Sequence, residues 1–247
     1  MKLNLTMSKE IKRLFKGLSS ANVTLEAMQF FITEDFIDIG GIDAGRIKLS
    51  MIRVPFKTEK SLFEPICIDP HFFLKILGNV LDNEKITIED YKRDKHNGVR
   101  IVCNDREFTF TEESSAPVIK PTSLDKIFQE KNKYCELNLE WKYWTYILKE
   151  LNIMEFDTFD IYTKDKFLWI NAESHYHTYK RKVISLSECK KSCDIEKATF
   201  ALRNFDRNIY QPIRIQIAED QPICLTFEHE GITLRQWIAP RVESDDF

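Results

Sequence analysis

The chain has 247 residues, with 36 Lys+Arg against 39 Asp+Glu, a formal net charge of −3, 43% hydrophobic residues and 30% charged ones. This is the composition of a folded globular protein; it excludes extensive disorder, and the length suits one large domain or two of ordinary size. No run approaches the roughly 20 apolar residues that cross a bilayer, and the N-terminal Met1-Lys2-Leu3-Asn4-Leu5 lacks the apolar core of a signal peptide, so an intracellular protein with no membrane role is expected.

Read in chain order, most of the sequence predicts strands. Lys2 to Met7 alternates polar and apolar residues. Ser8 is an N-cap for a helix over Lys9 to Leu18, in which Ile11, Leu14, Phe15 and Leu18 share one face. Short β-rich runs follow at Val23 to Ile32, Phe36 to Ile42 and Arg46 to Val54, broken by the turn formers Thr33-Glu34-Asp35 and Asp43-Ala44-Gly45. A strand starting at Ile66 leads into a helix over Pro70 to Leu77, capped by Asp69 and with proline at its first position. Strands at Lys85 to Glu89, Val99 to Cys103 and Glu107 to Thr111 come next. Glu140 to Leu151 predicts a third helix, followed by strands at Phe159 to Thr163, Phe167 to Ala172 and Tyr179 to Ile184. Arg203 to Tyr210 predicts a fourth helix, and Ile213 to Ile217, Ile223 to Glu228 and Ile232 to Ile238 the last strands.

The order of elements repeats. A strand runs into a short helix, and several strands follow, from starts at Lys2, Ile66, Tyr134 and Ala198 that lie 64, 68 and 64 residues apart. Four such units predict two duplicated domains, each itself a duplication, with antiparallel sheets and two helices on one face: an α+β class. Residues 113–133, with Pro117, Pro121 and a run of small and charged side chains, predict an extended connector between domains 1–112 and 134–247.

Three stretches resemble the sliding clamps of the proliferating cell nuclear antigen family. Phe36-Ile37-Asp38-Ile39-Gly40-Gly41-Ile42-Asp43-Ala44-Gly45-Arg46-Ile47-Lys48-Leu49 is similar to a family strand-turn-strand, with Phe36 where the family usually has glycine. Thr199-Phe200-Ala201-Leu202-Arg203 resembles the fourth strand-to-helix junction, and Leu234-Arg235-Gln236-Trp237-Ile238-Ala239-Pro240-Arg241-Val242-Glu243 resembles the family's C-terminal ending. The resemblance spans essentially the whole chain. It implies a ring of three subunits, homotrimer or heterotrimer, whose helices line a hole for double-stranded DNA. It also implies a non-enzymatic role: tethering DNA polymerase, flap nuclease, ligase and clamp loader through short peptide motifs, with no cofactor. The location would be an archaeal or viral cytoplasm, or a nucleus if eukaryotic.

The charges agree with that implication. Over the four predicted helices cations exceed anions by four, while the whole chain is acidic; a positive inner surface attracts phosphate and an acidic body repels it. The resemblance then assigns Lys12, Arg13, Lys16, Lys75, Lys149, Arg203 and Arg207 to the DNA-facing side. It assigns Ile42, Ile47, Leu49, Pro222, Trp237, Ala239 and Pro240 to a peptide groove, with Val118, Ile119 and Leu124 as its lid and backbone pairing near Arg241 to Glu243. A small Ala-Pro step beside a large aromatic is the shape that receives an anchor side chain. It assigns subunit contacts to Glu107 to Thr111, through Phe108 and Phe110, and to Tyr179 to Ile184, through Lys180 and Lys182.

Other signals point away from chemistry. No glycine pattern cradles a phosphate. Cys67, Cys103, Cys135 and Cys224 lie in apolar runs, and Cys189 and Cys193 form a C-x3-C pair without the spacing or second pair of a zinc knuckle, so all six thiols read as structural and no metal is expected. His175 and His177 have no third ligand nearby, and no spacing suggests a nucleophile with its base. Two rival readings stand beside the clamp: a subunit of a heterotrimeric or checkpoint-type ring, and a duplicated scaffold that binds peptides without DNA.

Overall fold

A computed structural model describes residues 2–18, 25–57, 65–93, 96–112, 133–138, 141–205 and 213–241. Connector residues 113–132 lie outside the described residues, as do the predicted strand start at 23–24, the predicted helix start at 140 and residues 206–210 of the predicted fourth helix.

Four repeats appear in the element order. The first comprises β1 (Lys2–Met7), α1 (Lys9–Lys16), β2 (Met28–Ile32), β3 (Phe36–Ile42) and β4 (Lys48–Pro55). The second comprises β5 (Ile66–Ile68), α2 (Pro70–Asn79), β6 (Glu84–Arg93), β7 (His96–Cys103) and β8 (Arg106–Thr111). The third comprises β9 (Cys135–Leu137), α3 (Trp141–Ile153), β10 (Thr158–Lys164), β11 (Phe167–Glu173) and β12 (Thr178–Ser185). The fourth comprises β13 (Ala198–Ala201), a 3-10 turn (Leu202–Asn204), β14 (Arg214–Ile217), β15 (Ile223–His229) and β16 (Ile232–Ile238). In the fourth repeat the opening strand is thus followed by a 3-10 turn that starts one residue before the predicted helix. The cause is local: Ala201 offers no side chain to cap the turn, whereas Ser8 accepts from the Ile11 amide at 3.2 Å and Asp69 from the His71 amide at 2.7 Å. β2 starts at Met28, because Leu25 makes only an isolated bridge to Asp43.

The chain divides into two compact units, Met1–Pro121 with Glu228–Leu234, and Thr122–Phe227 with Arg235–Phe247. In the first unit the repeats exchange their opening strands. β1 pairs antiparallel with β6 of the second repeat, from Lys2↔Glu89 to Met7↔Glu84, and β5 pairs with β2 of the first, from Met28↔Ile68 to Phe30↔Ile66. The resulting ladders run β1-β6-β7-β8 and β5-β2-β3-β4. β1 buries Leu3, Leu5 and Met7 and exposes Lys2, Asn4 and Thr6, the alternation of a sheet wet on one face. α1 turns Ile11, Leu14 and Phe15 inward, and α2 lies beside it with Phe73 and Leu77 buried. Phe73 makes edge-to-face contacts with Phe30 of β2 at 5.3 Å and Phe110 of β8 at 5.6 Å, so one helix residue joins the cores under both ladders.

The second unit repeats the exchange: β9 pairs with β14, from Ile215↔Leu137 to Ile217↔Cys135, and β13 pairs with β10, from Thr158↔Ala201 to Ile161↔Ala198. Its core is more aromatic. Trp144 of α3 meets Phe159 at 6.4 Å and Phe205 at 5.9 Å, and Phe200 closes the cluster. α3 is also fastened to the edge strand β12. Glu150 accepts from the Tyr179 hydroxyl at 2.6 Å and from Arg181 at 2.7 Å. Burial, reinforced by the bond to Glu150, pushes the Tyr179 phenol up to about 12.

Two glycines of β3 are dictated by backbone contact. A Cβ on Gly40 would stand 2.0 Å from the Ser50 carbonyl oxygen, and one on Gly41 2.0 Å from that of Ala27. Gly78, late in α2, has nothing within 4 Å of its Cβ position. Gly40→Ala is therefore expected to lower the unfolding free energy by about 2 kcal/mol or more, and Gly78→Ala to raise it by about 0.5 kcal/mol, both read from urea denaturation. The Tyr179 phenol is raised in the folded state, so folding favours its protonated form. That contribution is complete below pH 10 and is lost as pH rises from 10 to about 12. Thermal melts across that window should show a steeper loss for the wild-type chain than for Tyr179→Phe.

Candidate functional site

The expected DNA-facing cations sit on the short helices, and the structure sorts them by surroundings. In the first unit Lys16 of α1 and Lys75 of α2 are exposed, as is Lys9. Lys12 is different. Its ammonium donates to the Val80 carbonyl at 2.6 Å and pairs with Asp82 at 2.5 Å, with 14% of its side chain exposed. Val80 is the C-cap of α2, where backbone carbonyls lack helical partners and a cation is favoured. The hydrogen bond from Lys12 holds the Asp82 carboxyl below its usual value. Lys12 thus straps α1 to the end of α2, and its charge is largely compensated there. Arg13 is half-buried. In the second unit Lys149 of α3 and Arg203 of the 3-10 turn are exposed; Arg207 lies outside the described residues.

The residues expected to form a peptide groove are placed unit by unit. In the first, Ile42 and Leu49 face each other across β3 and β4. The turn between them is built on Asp43: its carboxylate accepts from the Gly45 amide at 3.1 Å and the Lys48 amide at 2.5 Å, and its backbone N–H donates to the Lys48 carbonyl at 3.0 Å. Arg46 takes φ 54°, and Ile47 is lifted out to 36% exposure while Leu49 is buried. An aliphatic side chain held outward by a buried carboxylate is a preformed apolar contact. In the second unit Trp237 is buried on β16, with Pro222, Ala239 and Pro240 half-buried. The Arg241 amide donates to the Thr199 carbonyl at 2.8 Å, so that donor is already engaged within the chain. Val118, Ile119 and Leu124, and residues 242–243, lie outside the described residues.

The two strands expected at subunit contacts, β8 and β12, are each the outer strand of a four-stranded ladder. Phe108 and Phe110 are half-buried, and Phe110 rests on Phe73. On β12 the Lys180-Arg181-Lys182 run splits by strand alternation. Lys180 lies over Trp169 at 5.4 Å and Tyr162 at 5.9 Å, and Lys182 over Phe167 at 3.8 Å, while Arg181 turns to the other face and α3. Sequence reasoning missed the Glu150–Tyr179–Arg181 network; the alternation within the basic run was the available signal. It also missed the Asp38–Arg53 pair, bonded at 2.8 and 2.9 Å, with the guanidinium 3.8 Å from the Phe36 ring centroid. The aromatic ring at position 36 is thus part of a stacked ion pair on β3 and β4. Among the described residues no group of three His, Cys, Asp or Glu is arranged to hold a metal ion, and no helix is long and apolar enough to cross a membrane.

No protein-family model and no curated protein sequence matches the chain. Solved structures do. The PCNA of A. fulgidus, crystallised with the C-terminal region of FEN-1, is 12% identical with a TM-score of 0.72, over 99% of each chain. The PCNA2–PCNA3 complex of Sulfolobus tokodaii gives 18% identity and a TM-score of 0.68, over 98% of this chain and 99% of that one. The Entamoeba histolytica PCNA gives 13% and 0.65, over 98% of both. Identity at this level speaks for architecture, and the coverage leaves no part of the architecture unmatched: the chain has the two-unit, fourfold-repeat fold of the sliding clamps.

Proposed function

We propose that the chain is a DNA sliding clamp: three subunits close a ring around duplex DNA, and the ring tethers polymerase, flap nuclease, ligase and clamp loader through their short peptides. The observation that carries this reading is the full-length match in fold to clamps, one of them with a FEN-1 C-terminal region bound. In this reading residues 1–112 and 134–247 are the two clamp domains, 113–133 is their connector, and the chain is a scaffold with no catalysis of its own. It works wherever the replicating DNA lies, the cytoplasm of an archaeon or the nucleus of a eukaryote.

The residue chemistry supports it. Lys16, Lys75, Lys149 and Arg203 are exposed cations on short helical elements, suited to loose, sequence-independent phosphate contacts that weaken with salt. Lys12 contributes by holding α1 in place. Ile47, exposed on the turn that joins Ile42 to Leu49, offers an apolar contact to a client peptide. β8 and β12 offer ladder edges, which a neighbouring subunit would complete. A second reading, a subunit of a heteromeric ring, is favoured by the likeness to the PCNA2–PCNA3 complex.

Light scattering should give a mass near three times 29.3 kDa, concentration-dependent at the dilute end; a monomer at every concentration sinks the homotrimer and favours the heteromeric ring. Charge reversal of Lys16, Lys75 and Lys149 to Glu should cut polymerase stimulation on circular primed DNA by more than about tenfold. Full stimulation after reversal would point to a peptide scaffold that does not use DNA. Ile47→Ser, at an exposed position, should leave stability within about 0.5 kcal/mol and weaken binding of a FEN-1 C-terminal peptide by about tenfold, measured by calorimetry.

A further inference from the structure

We propose that Cys135 and Cys193 form a redox-active dithiol that closes to a disulfide, stapling β9 to the segment after β12. The inference stands on the second unit alone and is independent of the clamp reading. The sequence pairs Cys189 with Cys193 by spacing; the fold instead brings Cys193 to Cys135, 58 positions away, with the sulfurs 3.7 Å apart. Backbone contacts set this approach. The Cys193 amide donates to the Cys135 sulfur at 3.3 Å, and the Cys135 thiol donates to the Cys193 carbonyl at 3.2 Å.

The segment carrying Cys193 is anchored on both sides. Before it, Glu136 and Lys191 form an antiparallel bridge, the Glu136 amide donating to the Lys191 carbonyl at 2.9 Å and the Lys190 amide to the Glu136 carbonyl at 2.8 Å. The Lys191 ammonium donates to the Tyr134 hydroxyl at 2.7 Å, and Lys190 pairs with Glu136 at 3.1 Å. After it, Ile195 and Thr163 share three hydrogen bonds, two of 2.9 Å and one of 3.2 Å. The bridge holds the two segments at β-pairing distance two residues before Cys193, and the amide, carbonyl and thiol contacts of Cys193 with Cys135 continue that approach. Closing the sulfurs to the bonded distance of about 2.05 Å needs a movement of less than about 2 Å, within reach of side-chain rotation and a small loop shift. Cys189 lies near enough to Cys135 to feel its charge, but its thiol is directed to the Ser185 carbonyl at 3.6 Å, and a Cys135–Cys189 linkage on oxidation would overturn the proposal.

The chemistry is thiol–disulfide exchange with a small disulfide such as oxidised glutathione. Cys193 is half-exposed and Cys135 is buried, so Cys193 reacts first. Its thiolate attacks one sulfur of oxidised glutathione and expels glutathione thiolate. The Cys135 thiolate then attacks the Cys193 sulfur of the mixed disulfide and expels the second. One glutathione disulfide is reduced to two thiols, two protein thiols are oxidised to one disulfide, and the two protons from the protein pass to the released thiolates. Burial and the neighbouring Cys135 push the Cys193 thiol up, which makes the exchange slow at neutral pH and faster as pH rises.

The test is to hold the full chain at pH 8.5 in oxidised glutathione, block remaining thiols, and map linkages by mass spectrometry of the intact and digested protein. The expected result is loss of two of the six thiols, a Cys135–Cys193 linked peptide in both wild type and Cys189→Ser, and a melting temperature raised by about 5 °C that reverts with dithiothreitol. Cys193→Ser should yield no intramolecular linkage. Six retained thiols, a Cys189–Cys193 linkage, or a linked chain that melts lower than the reduced one each overturns the proposal; the wild-type map alone decides it should a variant fail to fold.

Discussion

A strand of three to six residues cannot leave its amide and carbonyl groups unpaired in a core, and in this chain the opening strand of each repeat finds its partner in the other repeat of its unit. β1 borders β6 and β5 borders β2; β9 borders β14 and β13 borders β10. The helix that follows each opening strand in the first three repeats is carried over with it, which is why α1 comes to lie beside α2. The cations of the helices and the outer strands β8 and β12 are positioned by this exchange. It ties residues 2–7 to 84–89, so the unit depends on contacts distant in sequence, the kind that slow folding.

The two units meet the same demand with different side chains. The first joins its ladders through Phe30, Phe73 and Phe110 and otherwise packs aliphatic residues. The second gathers Trp144, Phe159, Phe200 and Phe205 under α3. Their outer strands differ as well. β12 carries Lys180 and Lys182 against the aromatic rings of β10 and β11, whereas β8 carries Arg106, tied to Glu84 at 2.8 Å, and half-buried phenylalanines. A cationic strand and an aromatic one are unlike surfaces.

Much of the architecture was legible because the repeat writes itself four times. The starts of β1, β5, β9 and β13 fall within one residue of the predicted ones, and the caps Ser8 and Asp69 were readable because capping is local chemistry. What stayed hidden depends on distant partners. Nothing near Lys12 announces Asp82, 70 positions on, so its tie to the end of α2 was invisible in the sequence. Nothing near Cys193 announces Cys135. Phe36 read as a departure from a family glycine until Arg53 was found stacked on it and bonded to Asp38. Where the fourth helix was predicted, the described residues hold a 3-10 turn over Leu202–Asn204 with no side-chain cap.

The exchange of opening strands also bears on whether one repeat could stand alone. A single strand-helix-three-strand unit leaves one ladder incomplete and projects a strand with no ladder of its own, so alone it would be half a fold. Two copies, each lending its first strand to the other, satisfy both ladders at once. A repeat cut out on its own would therefore expose unpaired backbone twice over, and only a second copy beside it could close both ladders.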